Sequence, residues 1–332
     1  MVYRIMSFDG GGIRGVISAK ILTEVEKQIQ REYNQSLHQY FDMFVGTSTG
    51  SIIAAALAND RKSDNILNVY QTKGKVIFPY QSRWVLQRLG LLFKYGISAP
   101  KFSHDGLIKV LKEELGDLTL SDVPADKRLL ITSYDTRSRQ QIIFDNKEDK
   151  FKDISLRDAC VCSSSAPTFF PAYKIKIENQ EYSAIDGGVV ANNPVAYGIA
   201  QALKDGHDLK DIQVLSIGTG DPTREISYEK ATEWGAAEWA LPIIDVMFDG
   251  ASDMNNYIAE QILKDSNFLR LQFKLYGRNF EGIDKLNDDL DDSTDKNINN
   301  LIEATRQYLN TEEIKAKLNN FLEPSKSLIE SR

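Results

Sequence analysis

Short runs of consecutive apolar residues alternate along this chain with longer stretches in which apolar positions recur every three or four residues. The first pattern predicts strands buried on both faces, and the second predicts helices that cover them. Tyr3-Arg4-Ile5-Met6-Ser7-Phe8 reads as a strand and leads into a helix over about 16–31. Met43-Phe44-Val45 predicts another strand, continued directly by the small-residue helical run Ser51-Ile52-Ile53-Ala54-Ala55-Ala56-Leu57. Further strands are expected at 129–135, with 140–144 as its hairpin partner, at 182–185, at 212–217, and as a late edge strand at 268–273. A helix followed by a small-residue loop is expected over 155–167, a helix over 195–204, and a helix pair or lid over 228–264. Residues 284–295 are acidic and loop-like, and 298–322 predicts one or two amphipathic helices. No repeat or long linker interrupts the series. Strands alternating with helices predict one α/β domain: a central, mostly parallel sheet with helices on both faces, plus a C-terminal helical appendage.

Two glycine-rich junctions lie between a predicted strand and a predicted helix. At Gly46-Thr47-Ser48-Thr49-Gly50 the apolar run meets Gly-x-Ser-x-Gly, the strand, turn and helix context of a nucleophile elbow. The serine of such a turn takes a strained backbone conformation, and the chain crosses itself so closely that only glycine fits on either side. Its oxygen lies at a helix N-terminus, where free N–H groups and the dipole favour developing negative charge. Ser48 is therefore the candidate nucleophile. The other junction, Asp9-Gly10-Gly11-Gly12-Ile13-Arg14-Gly15, exposes backbone N–H groups to an anion. It lacks both the Gly-x-Gly-x-x-Gly spacing and the lysine of a phosphate loop, so an oxyanion hole fits better. Both junctions follow apolar strands and belong at the carboxyl edge of the sheet, where such folds place their sites. Arg14 either braces the loop or meets a substrate phosphate.

The remaining question is the base. His38 and His207 precede their strands and belong at the opposite edge, which leaves His104, at the start of a helix, as the one histidine topology allows near the site. Without histidine a carboxylate must accept the serine proton, and burial must raise its proton affinity. Asp135 reads as a hairpin-turn residue and Asp9 as a pin for its own loop. Asp186, before Gly187-Gly188, allows close approach of another loop, although an ordinary Asp-Gly turn has the same local pattern.

Asp9-Gly10-Gly11-Gly12-Ile13-Arg14-Gly15, Gly46-Thr47-Ser48-Thr49-Gly50 and Asp186-Gly187-Gly188, in that order and spacing, resemble the three signatures of the patatin-like phospholipase family. The resemblance runs from Tyr3 to about Gly220 and departs from the pattern at Ser51, where many relatives have glycine. It implies a Ser48–Asp186 dyad, oxyanion donors at Gly10, Gly11 and Gly12, and hydrolysis of lipid acyl esters through an acyl-enzyme, with no metal or other cofactor. The substrates implied are membrane phospholipids or galactolipids. The resemblance says nothing of the chain after about Gly220; from the hydrophobic pattern, residues 1–280 are expected to form the catalytic domain and 281–332 a helical extension packed on it. Acyl transfer or thioester hydrolysis would use the same residues, and a dormant lipid-binding or storage protein would retain the fold.

Composition adjusts this picture in three places. A formal charge of −7 argues against nucleic acid as a partner. The first residues lack the apolar core of a signal peptide, and no apolar run reaches a membrane span, so a cytoplasmic protein with transient peripheral membrane contact is expected. Cys160 and Cys162, two residues apart, read as small buried side chains. Against the acidic background, 65–104 contains no Asp or Glu, yet carries Lys73, Lys75, Arg83, Arg88, Lys94 and Lys101 among many aromatic and leucine residues. That segment is the expected membrane contact.

Overall fold

The computed structural model describes residues 2–80, 89–96, 99–221, 225–239, 242–276, 280–283 and 286–322. Among the described residues, eight strands form one sheet: β1 (Tyr3–Phe8), β2 (Met43–Thr47), β3 (Arg128–Asp135), β4 (Gln140–Asp145), β5 (Tyr173–Ile177), β6 (Gln180–Asp186), β7 (Ile212–Ile217) and β8 (Phe268–Leu271). Their order is β5-β6-β3-β2-β1-β7-β8, with β4 on the free edge of β3. Strands β3, β2, β1, β7 and β8 are mutually parallel, while β4, β5 and β6 run antiparallel to their neighbours.

The strand centres are apolar on both faces because both faces are covered. Met6, Phe8, Phe44, Leu129 and Ile131 point into the larger core, beneath the helices Gly15–Tyr33, Thr49–Ala58, Ser63–Ile77, Asp105–Leu115 and Leu156–Ser164. Ile5, Met43, Val45, Leu130 and Val214 alternate to the other face and pack under the helix Val195–Lys204 and the end of the helix Pro242–Ile262. The C-terminal helices Asp295–Leu309 and Glu312–Leu322 contribute Ile298, Leu301, Tyr308, Leu318 and Phe321 to the larger core.

Several elements differ from the sequence pattern, among them the helices Ser63–Ile77 and Leu89–Tyr95, which that pattern does not predict. The stretch 228–264 is broken into helices Tyr228–Glu233, Ala236–Trp239 and Pro242–Ile262, the last starting on the proline that cannot extend a helix before it. Strand β5 was not anticipated; it is the hairpin partner of β6 across Glu178-Asn179.

That hairpin matters for the site. Strand β2 pairs with β3 only as far as Thr47↔Thr132, and β6 enters from the opposite direction to occupy the vacated edge, ending at Ser133↔Asp186. Asp186 is thereby delivered to the row next to the one where β2 ends, beside Ser48.

Candidate active site

The turn after β2 is strained in the way the motif demands. Ser48 sits at φ 53° and ψ −124°, a region a non-glycine residue occupies only under constraint. A Cβ at Gly46 would lie 2.2 Å from Gly50 O, and one at Gly50 2.3 Å from Phe8 O, so the helix Thr49–Ala58 packs directly on two strands. The Ser48 N–H donates to Ser163 Oγ at 2.8 Å, and Ser51 Oγ donates back to Ser48 O at 2.6 Å. Ser163, in the small-residue stretch expected over 155–167, thus satisfies the amide of the strained position. Ser51 is likewise accommodated as a bond that closes the turn.

Asp186 is completely buried. Its Oδ1 accepts the Gly188 N–H at 2.7 Å, while Oδ2 makes no hydrogen bond of ordinary geometry. Burial raises the carboxyl pKa to about 7, against the opposing pull of the nearby Ser48 hydroxyl and the Gly188 N–H. The surrounding backbone is fixed: Asp186 N–H donates to Ser165 O at 3.0 Å and Gly187 N–H to Ser163 O at 3.2 Å. A Cβ at Gly187 would come within 2.3 Å of Thr132 Oγ1, which explains the glycine after the aspartate.

The glycine loop is pinned from several sides. Gly10 N–H donates to Asn192 O at 2.9 Å, and Gly10 O accepts from Thr219 Oγ1 at 2.8 Å. Ile13 N–H donates to Leu290 O at 2.8 Å, and the positive φ of Gly12 (57°) lets the chain pass beneath that carbonyl. The amides of Gly11 and Gly12 find no acceptor among the described residues, and both residues line the cavity that holds Ser48 and Asp186. Of the three glycines grouped in the sequence, Gly10 differs: its N–H is committed to Asn192. The Gly218-Thr219-Gly220 turn braces the loop from behind and does not line the cavity.

Arg14 is also outside the cavity lining. It is buried, donates from Nη1 to Gly220 O at 3.3 Å, and lies among the carboxylates of Asp221, Asp245, Asp249 and Asp288. That position suits bracing the loop and does not suit meeting a substrate phosphate. Asp9 is paired with Arg270 of β8 (Nη1 to Oδ1, 2.7 Å; Nη2 to Oδ2) and accepts Ser252 Oγ at 3.3 Å. This pin between the loop and the far edge strand joins residues remote in sequence. Asp135 accepts the N–H groups of Arg137, Ser138 and Ser183 and is a turn residue.

None of the histidines lines the cavity. His104 contacts Ser165 Oγ at 3.0 Å and stacks on Phe170, and burial lowers its pKa to about 4. His38 contacts Leu57 O at 3.0 Å, and His207 stacks on Tyr3. Cys160 and Cys162 are buried free thiols.

The cavity encloses about 250 Å³. From Ser48 it follows the helix Thr49–Ala58, walled by Ile52, Ile66, Val69, Leu107, Val110 and Leu115, with Phe248 of the helix Pro242–Ile262 at the catalytic end. A long apolar slot beginning at a strained serine and a buried carboxyl has the character of a lipid acyl hydrolase. The comparisons with known proteins agree. The patatin-like phospholipase family matches residues 6–199, and the chain belongs to that family. It is 30% identical to "Patatin-like protein 2" of Oryza sativa subsp. indica, with 92% of this chain and 83% of the relative aligned. It is 32% identical to "Patatin-like protein 1" of Arabidopsis thaliana (80% and 73%) and 26% identical to "Probable inactive patatin-3-Kuras 1" of Solanum tuberosum (81% and 78%).

Proposed function

We propose that this protein cleaves fatty-acyl esters of glycerolipids through a Ser48–Asp186 dyad and a covalent acyl-enzyme. Ser48 Oγ attacks the ester carbonyl while its proton passes to Asp186. The amides of Gly11 and Gly12 receive the oxyanion, and Gly10 sets the spacing of the loop against Ser48. The protonated Asp186 returns its proton to the leaving alcohol. Water, deprotonated by the same carboxylate, then attacks the acyl carbon; the acyl–Oγ bond breaks, Asp186 returns the proton to Ser48 Oγ, and the fatty acid leaves. The observation that carries this reading is the carboxyl of Asp186, buried beside Ser48 with its pKa raised to about 7, a base suited to neutral pH. Family membership alone does not decide the matter, since one relative's name describes it as probably inactive. Here the elbow, the carboxylate and the free amides all support turnover. The acyl chain occupies the apolar cavity; whether water or another alcohol takes the acyl group depends on what reaches Ser48 from outside.

Approach to a membrane follows from the same reading. Among the described residues, no helix is long and apolar enough to cross one. The 65–104 segment is less cationic than its sequence suggests: Lys73 pairs with Glu113 and Glu114, Lys75 with Asp295 and Lys101 with Asp291, while Arg83 and Arg88 lie outside the described residues. Among its described residues, the exposed Phe93 and Leu89 offer an apolar contact to a lipid surface.

The reading is tested by hydrolysis of a short soluble ester and of phospholipid vesicles by wild type, Ser48→Ala and Asp186→Asn. Both variants are expected to lose at least ~10³-fold in kcat. Wild-type rates in either would overturn the dyad.

A further inference from the structure

We infer that Ser164 positions the water that resolves the acyl-enzyme, and so biases the site toward hydrolysis over transfer of the acyl group to an alcohol. The inference rests on the proposed acyl-enzyme chemistry and concerns its second half. Ser164 lies between two residues that hold the catalytic pair. On one side, Ser163 Oγ accepts the Ser48 N–H at 2.8 Å, and Ser163 O accepts the Gly187 N–H at 3.2 Å. On the other, Ser165 O accepts the Asp186 N–H at 3.0 Å. Ser164 ends the helix Leu156–Ser164 and lines the same cavity as Ser48 and Asp186. A buried serine on a helix can return its hydroxyl to the carbonyl four residues back, as Ser165 Oγ does to Val161 O at 2.7 Å. Ser164 is only 8% exposed, yet its Oγ has no hydrogen-bond partner among the described residues. One other buried side-chain atom of the described cavity lining shares that property, Asp186 Oδ2. Thr49 Oγ1, in the same lining, is bonded to Tyr70 OH at 2.5 Å. Unpartnered buried polar atoms are costly to keep, and two of them in the cavity of the reacting serine supply the contacts that a bound water needs.

Water differs from an alcohol in having two O–H bonds. In the acyl-enzyme Ser48 Oγ carries the acyl group and has no proton to give Asp186. One O–H of the water then donates to Asp186 Oδ2 and the other to Ser164 Oγ, which aims a lone pair at the acyl carbon. As the water oxygen bonds to that carbon, its first proton passes to Asp186, while Ser164 keeps its own proton and its contact with the second O–H. The bond from the acyl carbon to Ser48 Oγ breaks, Asp186 returns the proton to Ser48 Oγ, and the fatty acid leaves. An alcohol must give its single O–H to Asp186 and has none left for Ser164. The contact therefore favours water alone.

The test uses Ser164→Ala and Ser164→Cys on a soluble nitrophenyl ester, with and without methanol. For so reactive an ester kcat/KM reports the steps through acylation, and kcat reports release of the acyl group. Ser164→Ala should hold kcat/KM within ~2-fold of wild type and lower kcat at least ~10-fold, with KM falling in step. An acyl adduct should accumulate on it, seen by intact-protein mass after an acid quench. In methanol its ratio of methyl ester to free acid should rise at least ~5-fold over wild type. Ser164→Cys, whose thiol is a weak acceptor, should shift both readouts in the same direction. Both variants should react with a fluorophosphonate at the wild-type rate, because that attack uses no water. Equal falls in kcat and kcat/KM, loss of labelling in both variants, or an unchanged product ratio would overturn the role. Ester turnover that survives Ser48→Ala would instead overturn the acyl-enzyme reading on which it rests.

Discussion

If Asp186 is the base, the pH dependence of catalysis is fixed by its burial. Among the described residues the carboxyl has no charged partner, only the Gly188 N–H and the Ser48 hydroxyl, and burial raises its pKa from 3.8 to about 7. Only the ionised form accepts the Ser48 proton, so kcat/KM on a soluble ester should rise with pH and reach half its plateau near 7. At pH 5 about 1% of the carboxyl is ionised, which predicts a ~100-fold loss. The same shift has a consequence for stability. The folded-state pKa lies above the unfolded one, so the folded protein holds a proton that the unfolded chain releases between about pH 4 and 7. This contribution is present at low pH and is lost as pH rises through 7. A shift of about three units corresponds to a penalty on the order of 4 kcal/mol at pH 8. Asp186→Asn removes the charge but leaves a buried amide N–H₂ short of partners, at ~1–3 kcal/mol. The inactive variant should therefore be more stable than wild type by roughly 1–3 kcal/mol at pH 8, and no more stable at pH 4.5. Urea unfolding at the two pH values, run beside the pH–rate profile, makes the check. A profile flat from pH 5 to 8, or a stability difference that does not change with pH, would refute the reasoning.

Three other substitutions probe the frame around the dyad. Ser163→Ala leaves the buried Ser48 N–H without its acceptor and should cost ~1–3 kcal/mol in urea unfolding, with a fall in kcat and little change in KM. Gly50→Ala forces a Cβ to within 2.3 Å of Phe8 O and should destabilise by at least ~2 kcal/mol, read as a lower thermal midpoint. Arg270→Met leaves Asp9 as a buried, unpaired charge and should cost ~3–5 kcal/mol. Adding Asp9→Asn to that variant should restore a large part of the loss, and a strictly additive double variant would show that the pair is not coupled.

What the sequence made legible was local. The elbow at Ser48 could be read because strand, turn and helix are consecutive, and the helix Val195–Lys204 and strand Ile212–Ile217 follow the same logic. Asp186 could be singled out by its place after an apolar run and before two glycines. The route by which it reaches Ser48 could not, because that depends on β6 running antiparallel into the edge of β3 that β2 vacates. Strand β5 had a signal, the alternating Tyr173-Lys174-Ile175-Lys176-Ile177, that is weak beside the continuous apolar runs. The Asp9–Arg270 pair and the Ser163 acceptor join residues far apart in the chain, and no local spacing marks them. The division among the glycines was hidden for the same reason: only the approach of Asn192 shows that the Gly10 amide is occupied, while those of Gly11 and Gly12 find no acceptor among the described residues.

The central claim is that Ser48 is an activated nucleophile, and intact-protein mass spectrometry after treatment with a fluorophosphonate ester tests it most directly. The account predicts one phosphonyl adduct on wild type at neutral pH, none on Ser48→Ala, and much slower labelling of wild type at pH 5. An adduct of equal yield on Ser48→Ala, or none on a wild type that hydrolyses esters, would contradict it.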